Sequence, residues 1–136
     1  LELSQLALRS MMRQRKGSIV NIASISAWGE DTSQLEYAAS KSAIVIATKK
    51  MARELGASGI RVNAVAPGLT DTKMLAGLDQ DAVDLMKKGM ALHRLGSPEE
   101  IAEVCLFLAS DSSSFITGET IKADGGGNDL RLATAK

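Results

Sequence analysis

Apolar positions along the chain follow a helical rhythm in some segments and form short continuous runs in others. From Leu1 to Arg15, the residues Leu3, Leu6, Ala7, Met11 and Met12 recur mainly on one helical face, predicting an amphipathic helix that ends near Gly17. SIVNIAS (18–24) is short, apolar and β-rich, the pattern of a buried strand. ISAWGEDTSQLE (25–36) is polar, contains glycine and predicts a loop. A second helix is expected from residue 37 to about 55, rich in Ala and Ser that allow close packing, and closed by Gly56 and Gly59. IRVNAVAP (60–67) predicts a second apolar strand, stopped by Pro67 and Gly68.

Residues 69–78 read as a loop or short helical segment, and DQDAVDLMKKG (79–89) as a short helix. SPEE (97–100) is a helix start: Ser97 caps, Pro98 takes the first position, and Glu100 stands three residues after the cap. That helix is predicted to run to about residue 110, and after DSSSFITG the stretch ETIKADGG (119–126) predicts a third strand with a glycine stop. The tail NDLRLATAK has no partner segment and is expected to fray. Helices alternating with non-alternating apolar strands indicate an α/β fold, a parallel sheet covered on both sides. Ligands of such sheets bind beyond the carboxyl ends of the strands, where Ser24 and residues 67–72 fall.

Composition narrows the function classes. The 136 residues suit one domain, with 45% hydrophobic and 24% charged positions. Sixteen basic residues balance sixteen acidic ones, so no net field favours nucleic acid or an anionic membrane. RQRK at 13–16 reads as a solvated helix end, where cations suit the dipole. No apolar run approaches the roughly 18 residues of a membrane span, and no secretory signal is visible. The single cysteine, Cys105, lies in the apolar run VCLFLA as a small core residue and fits a reducing, cytoplasmic setting. One histidine and one cysteine do not make a usual zinc site, so no metal is expected.

The candidate chemistry lies in YAASK. On a helix, Tyr37 and Lys41 share a face one turn apart. A half-buried tyrosine beside a surface lysine has the same pattern, so the pair alone assigns nothing. Ser24 stands thirteen positions before Tyr37, at a strand end. In a shared crevice, a serine hydroxyl can hold a substrate oxygen while a phenol exchanges its proton. An unperturbed phenol has a pKa of about 10, and bringing it to neutrality takes roughly 4 kcal/mol at about 1.36 kcal/mol per unit. A nearby ammonium supplies that much only in a water-poor crevice. The set suits carbonyl–alcohol interconversion. It does not suit serine hydrolysis, because His93 stands alone and no G-x-S-x-G elbow is present.

Five segments, SIVNIASISA, YAASK, VNAVAPGLTDT, HRLGSPEEIA and FITGETIKADGG, follow the order and spacing of the short-chain dehydrogenases/reductases. The chain resembles that family over about residues 1–126, and is most similar to 3-oxoacyl-carrier-protein reductases and to sugar, steroid and secondary-alcohol dehydrogenases. The resemblance implies a Rossmann-type doubly wound parallel sheet. Residues 1–127 would be its C-terminal catalytic portion, about three strands with flanking helices, and 128–136 a tail. It implies interconversion of a small-molecule carbonyl and a secondary alcohol, with hydride transfer to or from NAD or NADP.

Residue roles follow from the same resemblance. Tyr37 becomes the catalytic acid/base, Lys41 holds the nicotinamide ribose and assists Tyr37, and Ser24 binds the reacting oxygen. Ser26 is a rival hydroxyl whose spacing to Tyr37 is two short of the family pattern. The backbone of Pro67, Gly68 and Thr70 and the hydroxyl of Thr72 contact the nicotinamide carboxamide and nearby phosphate. Residues 69–90 match the substrate lid, where Met74, Leu75 and Leu78 either line an apolar pocket or pack as an ordinary helix. Trp28 either walls the site or packs, and Asn21 and Asn63 serve strand or loop hydrogen bonding. Gly125–Gly127 follow the last strand with no helix behind them, so they make a turn rather than a phosphate loop.

The family's Gly-rich loop, Thr-Gly-x-x-x-Gly-x-Gly, does not occur in these residues, nor does the residue that selects NAD or NADP. The family's catalytic asparagine would fall shortly before Leu1. The chain is therefore expected to be a piece of a longer enzyme, homo-oligomeric (dimer or tetramer) when full length. Alone, the strand at 18–22 would have an open apolar edge, which predicts marginal stability and association. The alternative function is a truncated, non-catalytic relative acting through association.

Overall fold

The computed structural model describes residues 2–29, 34–73, 75, 77 and 79–127. The expected tail at 128–136, Met74, Leu78 and part of the loop after Ser24 lie outside them. In chain order the elements are α1 (Glu2–Gln14), β1 (Gly17–Ile22), a 3-10 turn (Ile25–Trp28), α2 (Leu35–Leu55) and β2 (Ile60–Pro67). They are followed by α3 (Gln80–Lys88), α4 (Pro98–Ala109) and β3 (Thr120–Ala123). The strands form one parallel sheet in the order β1-β2-β3, with Ile19 opposite Val62 and Val65 opposite Ile121. Parallel neighbours need crossovers, which α2 and α4 supply. Among the described residues no helix is long and apolar enough to cross a membrane.

β2 is the centre of the core. Ile60, Val62, Ala64, Val65 and Ala66 are all buried. Ala64 and Ala66 join Ala23 against Ile44 and Val45 of α2, where small side chains let the helix lie close. On the same face, Ile60 and Val62 meet Ala52 and Met51 of α2 and Leu8 and Met11 of α1. α4 contacts β1 and β2 as well, with Leu108 fully buried.

Four boundaries differ from the sequence reading, each for a local reason. β1 ends at Ile22 and is half-buried, with Ile22 47% exposed, because among the described residues only β2 pairs with it. β3 stops at Ala123, where Asp124 accepts from Gly126 N–H at 3.0 Å and Gly125 and Gly126 take positive φ. α2 starts two residues early, at Leu35, and the loop before it contains a 3-10 turn. α1 is ended by Arg15 at φ 48, not by a glycine. Lys16 N–H and Arg15 N–H close on the Met11 and Met12 carbonyls at 3.2 Å, and the Arg15 guanidinium donates to Ala57 O at 2.9 Å. Gly59, at φ 73 after α2, must be glycine twice over, since a Cβ there would strike the Arg15 carbonyl.

The start of α4 follows the expected chemistry. Ser97 Oγ accepts from Glu100 N–H at 3.2 Å, and the Glu100 carboxylate accepts from Ser97 N–H at 2.8 Å and from Arg94. The Arg94 guanidinium, then the Ser97 amide, hold the Glu100 carboxyl down at about 2, from an ordinary 4.5. A carboxylate depressed by folding stabilises above its unfolded value and loses that contribution as pH falls through its folded value. Thermal midpoints are therefore expected to drop between about pH 4.5 and 2, and Glu100→Gln should remove that part of the drop. Ser97→Ala should cost about 1 kcal/mol at neutral pH in urea unfolding. Burial pushes the Cys105 thiol up, in keeping with a packing residue.

Candidate active site

β1 and β2 run parallel, so their carboxyl ends make one rim, tied by Ala23 N–H to Val65 O at 2.7 Å. Ser24 follows β1 in an extended conformation and is 8% exposed. Its Oγ caps the 3-10 turn, accepting from Ser26 N–H at 3.2 Å and lying 3.2 Å from Ser26 Oγ. Gly29 ends that turn in the left-handed region. Ser42 Oγ, on α2, donates to Ala27 O at 2.5 Å, and the Lys122 amine of β3 sits 4.3 Å from the centre of the Trp28 ring. The turn carrying Ser24 is thus fastened to both a helix and a strand.

Lys41 crosses from the first turns of α2 to the end of β1. Its amine donates to Ile22 O at 3.2 Å and lies 5.6 Å from the centre of the Tyr37 ring. That contact fixes a flexible ammonium between the strand end and the phenol. Tyr37 itself is 46% exposed. The described residues therefore enclose the serine but leave the phenol open, where a common water-poor crevice was expected. No hydrogen bond among them joins Ser24 to Tyr37 or Lys41.

At the end of β2, Gly68 N–H donates to Ala123 O at 3.0 Å, and Thr70 Oγ1 turns back to Gly68 O at 3.1 Å. A Cβ on Gly68 would lie 2.7 Å from Asp124 Cα, so close packing against β3 already demands glycine there. Leu69, Thr70 and Asp71 pair with Gly96, and Thr72 is exposed. Leu75 is half-buried beside Val83 and Leu95. A cavity of about 540 Å³ lies between α4, the turn at 91–96 and the end of β3, lined by Leu69, Leu92, Ile101, Val104 and Asp124. Ser24, Tyr37 and Lys41 do not line it.

Asn21 and Asn63 act in hydrogen bonding, Asn21 to Thr48 Oγ1 at 2.9 Å and Asn63 to Ile116 O and Glu119 N–H. Ser42 was missed by the sequence reading although it neighbours Lys41, and the Trp28–Lys122 contact joins segments too distant in sequence to be read as a pair.

A family model described as enoyl-(acyl carrier protein) reductase matches residues 1–128. The 3-oxoacyl-(acyl-carrier-protein) reductase FabG of Thermotoga maritima is 46% identical over 123 residues, 90% of this chain and 50% of that protein. A 3alpha-hydroxysteroid dehydrogenase of Mediterraneibacter gnavus is 46% identical over 123 residues, 90% of this chain and 49% of that protein. The crystal structure of a gluconate 5-dehydrogenase from Burkholderia cenocepacia, in complex with NADP and tartrate, superposes with a TM-score of 0.82 at 32% identity. It covers 91% of this chain and 49% of the other. The chain spans about half the length of the curated relatives it matches.

Proposed function

The chain belongs to the short-chain dehydrogenase/reductase family, and on that premise we propose that it is the carbonyl-reducing portion of an NAD- or NADP-dependent oxidoreductase. The observation that carries the reading is the Lys41 amine, held between the last carbonyl of β1 and the Tyr37 ring, on the strand end that also bears Ser24.

The donor set suits the nicotinamide end of a dinucleotide. A lysine ammonium has three donors and Lys41 gives one to Ile22 O, leaving two for ribose hydroxyls. The Pro67, Gly68 and Thr70 backbone and the Thr72 hydroxyl would bound the carboxamide. When bound, the dinucleotide supplies or removes a hydride at the substrate carbon. The chain's own residues handle the oxygen. Ser24 donates a hydrogen bond to it, and Tyr37 Oη passes its proton to it as the carbonyl becomes an alcohol, then regains a proton from solvent. In the oxidative direction Tyr37 takes the proton back. A stacked cofactor and substrate would cover the open face of the phenol, supplying the water exclusion that the described residues lack. The full-length protein is proposed to be a homo-oligomer acting on a small carbonyl or alcohol.

The test is NADPH- or NADH-dependent reduction of acetoacetyl-coenzyme A by the full-length protein, with crotonyl-coenzyme A as the enoyl comparison. Lys41→Met should lower kcat/KM for the 3-oxo substrate by about 10²- to 10³-fold, the size of losing one oriented electrostatic group. Unchanged turnover in Lys41→Met would overturn the assignment. Turnover of the enoyl substrate alone would favour the reaction named by the family model, and absence of both would favour the non-catalytic, associating relative.

A further inference from the structure

We propose that Ser42 is a positioning residue that sets where the Ser24 hydroxyl stands relative to the Tyr37 phenol, an inference that rests on both groups meeting at the reacting oxygen. Consecutive residues of α2 grip the chain on either side of Ser24. The Lys41 amine donates to Ile22 O at 3.2 Å, on the strand just before the serine. Ser42 Oγ donates to Ala27 O at 2.5 Å, in the turn just after it. The Ala27 N–H in turn donates to Ser24 O at 3.1 Å. One residue, Ala27, thus carries the hold of the helix to the backbone of the serine.

The two grips differ in kind. Lys41 reaches Ile22 O on a long flexible stem whose ammonium also has ribose hydroxyls to serve, so its contact sets no fixed distance. The Ser42 side chain is short and its bond is partly buried, so it does set one. Tyr37 belongs to the same helix, and a turn fastened at residue 42 is therefore fastened to the element that carries the phenol. The Trp28–Lys122 contact ties the turn to β3 instead. With Ala27 O released, the turn can shift along α2 and take Ser24 with it. Ser24 and Tyr37 must reach one oxygen in the transition state, and a misplacement of about 1 Å there costs up to about 10²-fold. The loss falls on kcat, because the groups proposed to hold the dinucleotide are not touched.

The experiment is a double-mutant cycle in the full-length protein, with acetoacetyl-coenzyme A and NADPH as the probe reaction. Alanine is the best helix former, so Ser42→Ala should leave α2 formed. It is expected to lower kcat by about five- to thirtyfold, with the NADPH dissociation constant, read by fluorescence titration, within about twofold of wild type. Ser42→Thr keeps a hydroxyl and should restore most of the loss. On a Ser24→Ala background, Ser42→Ala should change kcat by less than about twofold, because the residue acts through Ser24. Ser42→Cys, of similar shape but with a weakly donating thiol, carries the same expectation if Ser42→Ala does not fold. Unchanged kcat in Ser42→Ala, or full multiplication of the two effects, would overturn the proposal and leave the reading of Ser24 standing. Wild-type turnover in Ser24→Ala would instead remove that reading, and this proposal with it.

Discussion

Tyr37→Phe is expected to cut NAD(P)H-dependent carbonyl reduction by about 10²- to 10⁴-fold, the range for losing a positioned acid/base, while leaving the fold intact. The change deletes one oxygen. Tyr37 is half-exposed, and among the described residues its hydroxyl makes no hydrogen bond, so no buried partner is stranded. The unfolding midpoint should stay within about 0.5 kcal/mol of wild type. Phenylalanine still offers a ring face to the Lys41 amine, and Lys41 keeps its hold on Ile22 O, so dinucleotide affinity should change little. The expected signature is therefore a collapse of kcat at near-constant cofactor binding. Retained turnover would mean that the proton comes from another group.

How much of this was legible in the sequence depends on how local the physics is. The capping box of α4 was readable because Ser97, Pro98 and Glu100 satisfy one another within one turn. β2 was read to its ends because an apolar run is bounded by Gly59 on one side and stopped by Pro67 and Gly68 on the other. β1 has similar composition and a different fate. Whether a strand is central or at an edge is set by its neighbours, which one strand's sequence does not encode. Arg15 took the left-handed position expected of a glycine, and its guanidinium reaches Ala57 across the fold, a contact that local sequence does not announce. The site divides in the same way. That Tyr37 and Lys41 share a face was legible from helical spacing. Spacing set Ser24 against Ser26 as rivals, whereas the 3-10 turn joins their hydroxyls, a matter of backbone dihedrals that no spacing rule carries.

Arg61 carries the largest expected effect on stability and was given no role by the sequence reading. It stands on β2, and its guanidinium donates to Leu108 O, Ser113 Oγ and Ser110 O, each at 2.9 Å, with Ile116 O at 3.5 Å. Leu108 and Ser110 are the end of α4, a helix with no basic residue in its own last turn. The central strand thus supplies the cation that the negative end of the helix lacks, and in the same contact ties α4 to the sheet. Hydrogen bonds to charged groups contribute about 1.5–3 kcal/mol each. The sum is discounted because Leu108 O also accepts from Ser18 and Ser113, and because Arg61 is only partly buried. Arg61→Ala should then cost about 3 kcal/mol in urea unfolding, a large share of the roughly 5–15 kcal/mol that holds a typical domain. Arg61→Lys should recover less than half, since a point charge cannot reach three acceptors as a planar fork does. A midpoint within about 0.5 kcal/mol of wild type in Arg61→Ala would show that α4 is held by its apolar face alone, with Leu108 as the anchor.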